Sequence, residues 1–533
     1  MLLSNYLSST SAPASSRDFC SASASSLEIP SFKGLGALST TSLASLSPRP
    51  VNSFTNFTTA SFEAPAALRI TSNSVFSSPA SSPPAAAGPA TATAAAAGSI
   101  PYSSFKMLAN SLTSFTVKLT NCSANSFKSA IVNDLAQRCR GDFPVLNQTI
   151  NGKPLIYLDH AATTPILADA LSAFTSQASK LGNPSSLHTQ GRATRKDLED
   201  ARESIAKAAG CLSSEIIFTA SGTEANNIAL KGLFWLGRKN GRNVVVISAI
   251  EHHAILDPAK WLVEHEGAEV IELPVTTAGV VDLKFLSELI ANRGDEIAVI
   301  SVMHSNNETG VLQPITEVVK LAGDIPVHSD AVQSFGKVAF SYNELGLFAM
   351  TLSAHKIGGP LGIGVLILRR AVEIPALLHG GGQEREIRSG TLNAPAIVAF
   401  AAAVSAKSYD ATNIAKLRDD FAQKVVAQIP DAFVNGADVD RLPGIVNITF
   451  PRTESDTLLL LLDSEKVSCS TGSACSAGVH RPSHVLMAMG HDDISAQSSL
   501  RFSFGPSNTA AEVDYVLSVL PGVIQRGRAA VAS

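Results

Sequence analysis

The spacing of hydrophobic positions beyond about residue 130 predicts short strands that alternate with longer helices. The runs EIIFTA, NVVVISAI, EIAVISVMH, IPVHSDA and GVLILRR have the length and the β-branched residues of buried strands. EANNIALKGLFWLGR and LKFLSELIAN have helical patterns, and TRKDLEDARESIAKAAG predicts an amphipathic helix that ends at Gly210. Strands alternating with helices predict an α/β fold with a mostly parallel sheet covered on both faces.

The pattern changes along the chain and predicts four segments. Residues 1–125 are rich in Ser, Ala and Pro and predict a disordered extension, because they hold too few large apolar side chains to form a core. Residues 126–153 lead into the globular part, and 154–400 predict the large domain. Residues 401–533, with the strand patterns GIVNITF and SLRFSFG, predict a smaller α+β domain at the C-terminus.

The first segment has two interpretations that lead to different compartments. Its first hundred residues hold three acidic and four basic residues, and a Ser-rich, acid-poor segment is typical of a transit peptide for a plastid or mitochondrion. The alternatives are a low-complexity tail or a true start at Met107, either of which would leave the protein cytoplasmic. No run of eighteen or more uncharged apolar residues occurs, so we expect no membrane span.

Composition excludes several classes of partner and site. The net charge of −4 gives no reason to expect a direct nucleic-acid partner. The six cysteines show neither disulfide-framework spacing nor a CxxC pair, so we expect no resident metal and a reducing compartment.

Two residues at predicted strand ends suggest cofactor chemistry. Lys356, in TLSAHKIGG, follows a strand-like run and stands before a glycine-rich turn, where its amine could form a Schiff base with a carbonyl cofactor such as pyridoxal phosphate (PLP). Asp330 ends the strand pattern IPVHSD, where a carboxylate could face the pyridine nitrogen of that cofactor. The alternatives are a solvated surface lysine and a turn-forming aspartate.

Three further stretches add candidate chemistry. Gly222 and Thr223, in TASGTEANN, fall at a strand-to-helix junction, where backbone N–H groups suit a phosphate. His252, in EHHAILDP, offers an aromatic plane that could stack on a cofactor ring, although a lone histidine is more often structural. Cys475, in STGSACSAG, has only small neighbours that cannot bury its thiol, which indicates a loop.

The order of these motifs resembles the class I cysteine desulfurases of the NifS/IscS type. YLDHAATTP, GNPSSLH, SNNETGVLQPI, HGGGQEREIRSGTLNAP and GSAC carry the resemblance, which covers about residues 154 to 525. It implies a PLP-dependent transferase fold of type I, whose large domain holds a mostly parallel, seven-stranded sheet. It also implies a homodimer and a reaction in which L-cysteine yields L-alanine and a protein persulfide.

The resemblance assigns roles to twelve residues. Lys356 would bind PLP covalently, Asp330 would pair with the ring nitrogen, Gln333 would donate to the phenolate oxygen and His252 would stack on the ring. The remaining cofactor and substrate contacts would come from Gly222, Thr223, Ser353 and His355 at the phosphate, Thr391 at the neighbouring subunit's phosphate, and Asn307 and Arg501 at the substrate carboxylate, Asn307 also contacting the cofactor. Cys475 would be the sulfur-accepting nucleophile.

Several alternatives stay open at this stage. Cys469 is a competing nucleophile that we expect to be buried, while His480 and Arg481 could favour the Cys475 thiolate, and His160 and His304 are weaker acid–base candidates. Cys475 could also act as a transient iron–sulfur ligand. The sulfur acceptor could be an iron–sulfur scaffold or a sulfur carrier for thio-cofactors or tRNA thiolation. Competing functions are a selenocysteine lyase, another fold-type-I aminotransferase, or an inactive scaffold protein.

Overall fold

The computed structural model describes most of the predicted globular part of the chain. The described ranges are residues 149–150, 153–406, 409–472 and 482–532. The predicted extension, most of the segment that leads into the globular part, and Cys475, His480 and Arg481 lie outside the described residues.

A seven-stranded sheet forms the centre of the large part of the fold, in the order β4-β10-β9-β8-β7-β5-β6. Only β10 runs antiparallel to its neighbours, so the predicted mostly parallel sheet is confirmed. The strands are β4 Ile216–Thr219, β5 Val244–Ser248, β6 Glu269–Leu273, β7 Ile297–Ser301, β8 Val327–Asp330, β9 Ala349–Ser353 and β10 Gly364–Leu368.

Helices cover both faces of this sheet, because its strands bury side chains in both directions. On β5, Val244 and Val246 pack into one apolar cluster, whereas Val245 and Ile247 pack into another. The helices that accompany the sheet are α1 Ala168–Ala178, α2 Thr189–Ala209, α3 Gly222–Arg238, α4 His253–Glu266, α5 Leu283–Arg293, α6 Ile315–Ala322, α7 Tyr342–Leu345 and α8 Ala394–Ser405. Helix α2 ends at Gly210 as predicted, with a left-handed φ of 69°.

A second, antiparallel sheet of three strands has its own apolar core. Its strand order is β11-β12-β14. In its core the ring centroid of Phe421 lies 4.9 Å from that of Phe502 and 5.6 Å from that of Phe504. Its strands and helices are α9 Ala411–Gln428, β11 Phe433–Asn435, β12 Ile445–Thr449, α10 Ser455–Ser464, α11 His484–Ala488, α12 Asp493–Gln497, β14 Ser499–Ser503 and α13 Ala510–Ala532. The domain boundaries inferred from the sequence stay a prediction.

Short strands join the beginning of the described chain to this second core. Strands β1 Thr149–Ile150 and β2 Lys153–Pro154 pair with each other, and β3 Ile156–Tyr157 runs parallel to β13 Val467–Ser468. Ile156 and Leu158 are buried in the second core. The chain therefore crosses from the small sheet to the large one through the stretch YLDHAATTP, which places that stretch between them.

Within the described ranges, no helix is long and apolar enough to cross a membrane. The same ranges hold no cluster of three or more His, Cys, Asp or Glu side chains arranged to bind a metal ion.

A buried ion pair fixes the segment that follows β10 against the sheet. Glu384 accepts two hydrogen bonds from Arg202 of α2, at 2.9 and 2.8 Å, and a third from the backbone N–H of Phe218 on β4 at 2.9 Å. Both charged side chains are at least nine-tenths buried. Removing Glu384 would leave the buried Arg202 with only the half-exposed Glu199 and the Ile216 carbonyl, and would leave the Phe218 N–H without its acceptor.

We therefore expect Glu384→Ala to lower the free energy of unfolding by about 3–5 kcal/mol, measured by chemical denaturation. Asp200→Ala, which removes the exposed partner of Lys196 on the same helix, serves as the control and should change stability little. Equal effects of the two substitutions would contradict the structural role of the buried pair.

Candidate active site

The ends of two neighbouring parallel strands define the candidate site. Strand β8 ends at Asp330, and β9 ends at Ser353 and passes into a short 3₁₀ helix, Ala354–Ile357, that carries Lys356. The carboxyl ends of adjacent parallel strands meet at one edge of a sheet, where ligands of open α/β sheets bind. A cavity of about 300 Å³ opens there and is lined by nine of the twelve predicted site residues, namely Gly222, Thr223, His252, Asn307, Asp330, Gln333, Ser353, His355 and Lys356.

The Lys356 amine is held at the wall of this cavity. Its Nζ donates to the backbone carbonyls of Ala161 and Ala162 at 2.7 and 2.8 Å. These carbonyls belong to the stretch YLDHAATTP, which the sequence analysis marked only as a motif. The prediction of a solvated surface lysine therefore fails, since Lys356 stands inside a built site.

Asp330 is a buried carboxylate with two fixed donors. Its Oδ2 accepts from Nδ2 of Asn226 at 2.6 Å, and its Oδ1 accepts from the backbone N–H of Val332 at 2.9 Å. Asp330 is only 6% exposed. A carboxylate held in this way can pair with a protonated ring nitrogen, since its orientation is set before any ligand arrives.

His252 caps the N-terminus of α4 and also lines the cavity. Its Nδ1 accepts from the backbone N–H of Ala254 at 3.0 Å, which fixes the plane of the ring. Burial lowers the pKa of His252, the charge of Lys356 acts in the same direction, and Asp330 opposes them. A neutral ring of fixed orientation is suited to stacking on an aromatic ligand.

The opposite end of the cavity is suited to an anion. Helix α3 begins there, and its N-cap Ser221 accepts from the backbone N–H of Glu224 at 3.1 Å. A Cβ on Gly222 would stand 2.9 Å from Val332, so the backbone at this helix start approaches its neighbour closely. Ser353 and His355 complete the wall, and burial lowers the pKa of His355 to about 4, which leaves a neutral imidazole at pH 7.

The donors present fit a phosphorylated pyridine aldehyde such as PLP. Ser305 Oγ lines the cavity and is buried, and within the described chain it has no hydrogen-bond partner. A buried hydroxyl without a partner is costly unless a ligand or water satisfies it. The cavity is thus surrounded by an amine, a buried carboxylate, a helix N-terminus and a wall rich in hydrogen-bond donors.

Gln333 is connected to a lysine that the sequence analysis overlooked. Gln333 Nε2 donates to the Ala161 carbonyl at 2.8 Å, and its Oε1 accepts from Nζ of Lys337 at 3.1 Å. Burial lowers the pKa of Lys337 to about 7, and the charges of Lys356 and Arg501 act in the same direction.

Arg501 lies beside the cavity and is held by two groups. Its Nη2 donates to Asp159 at 2.8 Å and its Nη1 to the backbone carbonyl of Asn307 at 2.9 Å. Its Nε is buried and has no partner within the described residues. Arg501 therefore keeps hydrogen-bonding capacity next to Asn307, which itself lines the cavity.

The other predicted and alternative residues are not among those that line the cavity. Thr391 is exposed and does not line it, while Cys475 lies outside the described residues. Cys469 is buried as predicted, and burial raises the pKa of its thiol. His160 is buried in the wall of a neighbouring cavity that Lys356 also lines. His304 packs against Phe340 of that wall but lines neither cavity.

Comparisons with known proteins agree with this geometry. The aminotransferase class-V family matches residues 156–516. The chain belongs to this family. It is 47% identical over 385 residues to an IscS-like cysteine desulfurase of Mycobacterium tuberculosis, which covers 70% of this chain and 98% of that protein. It is 42% identical to the cysteine desulfurase IscS of Dictyoglomus turgidum over 70% of this chain and 95% of that protein.

A solved structure of a similar protein has the same fold. The X-ray structure of a NifS-like protein from Rickettsia africae aligns with a TM-score of 0.62 and 34% identity, covering 70% of this chain and 99% of that one. The predicted fold class and the predicted resemblance are therefore confirmed. Members of this class-V family use PLP, which is the cofactor of this chain.

Four residues that contact the site were not identified from the sequence. Asn226 and Asp159 stand inside quoted motifs, yet nothing in a single sequence tells which motif residues will contact a carboxylate or an arginine. Ser305 and Lys337 follow the strand ends of β7 and β8 by a few residues. A search for polar residues just after parallel strands could have found Ser305.

The bond between Lys356 and PLP can be tested directly. Borohydride reduction of the full-length holoprotein should fix PLP on the peptide that contains Lys356, detected by mass spectrometry, because reduction makes a Schiff base permanent. Lys356→Ala should abolish this labelling. Labelling of Lys337 in the unsubstituted chain would contradict the assignment, since Lys337 is the other buried lysine close to the cavity.

Proposed function

We propose that this chain is a PLP-dependent cysteine desulfurase that transfers sulfur from L-cysteine to Cys475. The observation that carries the proposal is that Lys356 and Asp330 line the same cavity at the carboxyl edge of the sheet. The relatives from Mycobacterium and Dictyoglomus are named cysteine desulfurases, and the match covers nearly their whole length. They support the same reaction.

Each residue of the cavity has a task that follows from its position. Bound PLP supplies an electron sink for the pair of electrons released at the substrate Cα. Asp330 keeps the ring nitrogen protonated, because Asn226 and Val332 hold its carboxylate in one orientation. His252 restrains the ring plane. The N-terminus of α3, with Ser353 and His355, binds the phosphate.

Lys356 holds the cofactor and moves the proton of the substrate. With PLP and L-cysteine bound in the cavity, the Lys356 amine would serve as the general base for the substrate Cα. It is then placed to take the Cα proton and later return a proton to the product, L-alanine. The Ala161 and Ala162 carbonyls, which accept from Nζ at 2.7 and 2.8 Å, hold this amine in the cavity.

Arg501 and Asn307 select an amino acid by its carboxylate. A guanidinium can pair with a carboxylate in a planar, two-pronged geometry. Arg501 contacts Asp159 through Nη2 alone, at 2.8 Å. A substrate carboxylate at the free Nε would be fixed with its side chain directed away from the strand ends. This arrangement serves L-cysteine and leaves the thiol group accessible to a nucleophile.

Cys475 is the better nucleophile of the two cysteines in VSCSTGSAC. Cys469 is buried beside β13, and its raised pKa keeps it a thiol at neutral pH, whereas the thiolate is the reactive form. Cys475 would attack the substrate sulfur, break its bond to Cβ and retain it as a persulfide. An acceptor thiol then takes the outer sulfur and restores Cys475.

The partners follow from this reaction in coarse terms. A cysteine desulfurase uses cysteine and passes sulfur to an acceptor protein, for which an iron–sulfur scaffold or a sulfur carrier has the required thiol chemistry. A homodimer would let the exposed Thr391 reach the phosphate of the neighbouring site. A plastid or mitochondrial location would follow if residues 1–125 are a transit peptide, and N-terminal sequencing of the protein from its native cell would test this.

A substitution of Cys475 tests the sulfur-transfer step. We expect full-length Cys475→Ser to keep its PLP absorbance while losing alanine and sulfide production from L-cysteine with a reductant, by roughly a hundredfold or more, since the nucleophile is gone. Cys469→Ser is the matched control and should retain most activity. Sulfide production by Cys475→Ser at the parent rate, or its loss in Cys469→Ser alone, would contradict the role of Cys475.

A second substitution tests how the substrate is held. Arg501→Lys keeps the positive charge but loses the two-pronged geometry. We expect the KM for L-cysteine to rise roughly 10- to 100-fold, the loss of one or two charge-assisted hydrogen bonds, with PLP content unchanged. Steady-state kinetics would check this, and an unchanged KM would remove Arg501 from the substrate site.

A further inference from the structure

A buried lysine behind the candidate site has no role in the account above. Lys337 is only 8% exposed, and its Nζ donates to Oε1 of Gln333 at 3.1 Å. It lines a neighbouring cavity of about 490 Å³, not the one that holds Asp330. Its hydrogen-bonded connection to the cofactor cavity is Gln333, which lines that cavity.

The hydrogen bond from Lys337 fixes which way the Gln333 amide faces. The ammonium can only donate, so it requires the amide oxygen, and the Ala161 carbonyl can only accept, so it requires the amide nitrogen at 2.8 Å. A flipped amide would place two donors together at Lys337 and two acceptors together at Ala161. The NH₂ group of Gln333 has two N–H bonds, and Ala161 uses one of them.

The charge of Lys337 has no acidic partner in the described part of the chain. The ionisable groups that act on it are Lys356 and Arg501, both cationic, and Lys337 in turn lowers the pKa values of His160 and His355. A buried cation among other cations is unfavourable unless an anion comes near. The anionic oxygens of a bound cofactor and the substrate carboxylate are the groups that would supply that charge.

We propose that Lys337 is a positioning residue that orients and polarises Gln333, so that the amide N–H of Gln333 stabilises the phenolate oxygen of bound PLP. A donor whose own acceptor end is bonded to a cation becomes a stronger donor, because hydrogen bonds in a chain polarise one another. This inference rests on the proposed PLP function and adds to it a residue that does not touch the cofactor.

The pH dependence of the absorbance of bound PLP reports on this chain of contacts. Full-length Lys337→Met keeps an unbranched side chain, one atom shorter, and removes its charge. It should raise the pH midpoint of the spectral change by roughly one unit, about a tenfold change in proton affinity. The direction follows because a weaker donor leaves the phenolate more basic. We also expect PLP to bind several-fold more weakly, measured by titrating the PLP-free protein.

A second background tests whether Lys337 acts through Gln333. In Gln333→Leu the connection is already broken, so adding Lys337→Met should change neither the pH midpoint nor the PLP affinity further. Lys284→Met, at a lysine side chain that is 85% exposed, is the control for a lost surface charge and should match the parent protein. Lys337→Gln, which keeps a neutral donor, should give a smaller shift than Lys337→Met and provides the comparison if Lys337→Met does not fold.

The outcomes separate this inference from the function on which it rests. An unchanged midpoint together with unchanged PLP affinity in Lys337→Met would overturn the role of Lys337, and so would equal shifts in the parent and Gln333→Leu backgrounds, because the charge would then act directly. Failure of the unsubstituted chain to bind PLP would instead contradict the proposed function. Thermal unfolding of each variant shows whether the protein remained folded.

Discussion

A buried carboxylate at the end of a parallel strand is the constraint on which the rest of the site depends. Asp330 is 6% exposed, so its charge needs fixed donors, and Asn226 from helix α3 and the backbone N–H of Val332 provide them. Because Asn226 lies one turn into α3, this bond also sets the helix start against the cavity. The same contact that satisfies Asp330 therefore positions the phosphate-binding end of the site.

The stretch YLDHAATTP links the two sheets and makes hydrogen bonds with three residues of the candidate site. Its Asp159 pairs with Arg501 of the small sheet, and its Ala161 carbonyl accepts from both Lys356 and Gln333. One short segment thus carries the contacts of the cofactor lysine, the amide beside it and the arginine assigned to the substrate. A change in its path would displace all three groups together.

Much of this arrangement could be predicted from the sequence, and the reasons differ for each part. The short strand patterns that lead to Asp330 and Lys356 predict two strands of one parallel sheet, and the ends of parallel strands must converge. Lys337 could not be predicted in this way. In the sequence it reads as a surface lysine, and only the packing of the segment after β8 shows that it is buried against Gln333.

A crystal structure of the full-length protein with PLP tests the central claim most directly. The account predicts continuous density from Lys356 Nζ to the cofactor, the ring nitrogen within hydrogen-bond distance of Asp330, and the phosphate at the start of α3. PLP bound in the neighbouring cavity lined by His160 and Lys337, or bound with its ring nitrogen away from Asp330, would contradict it.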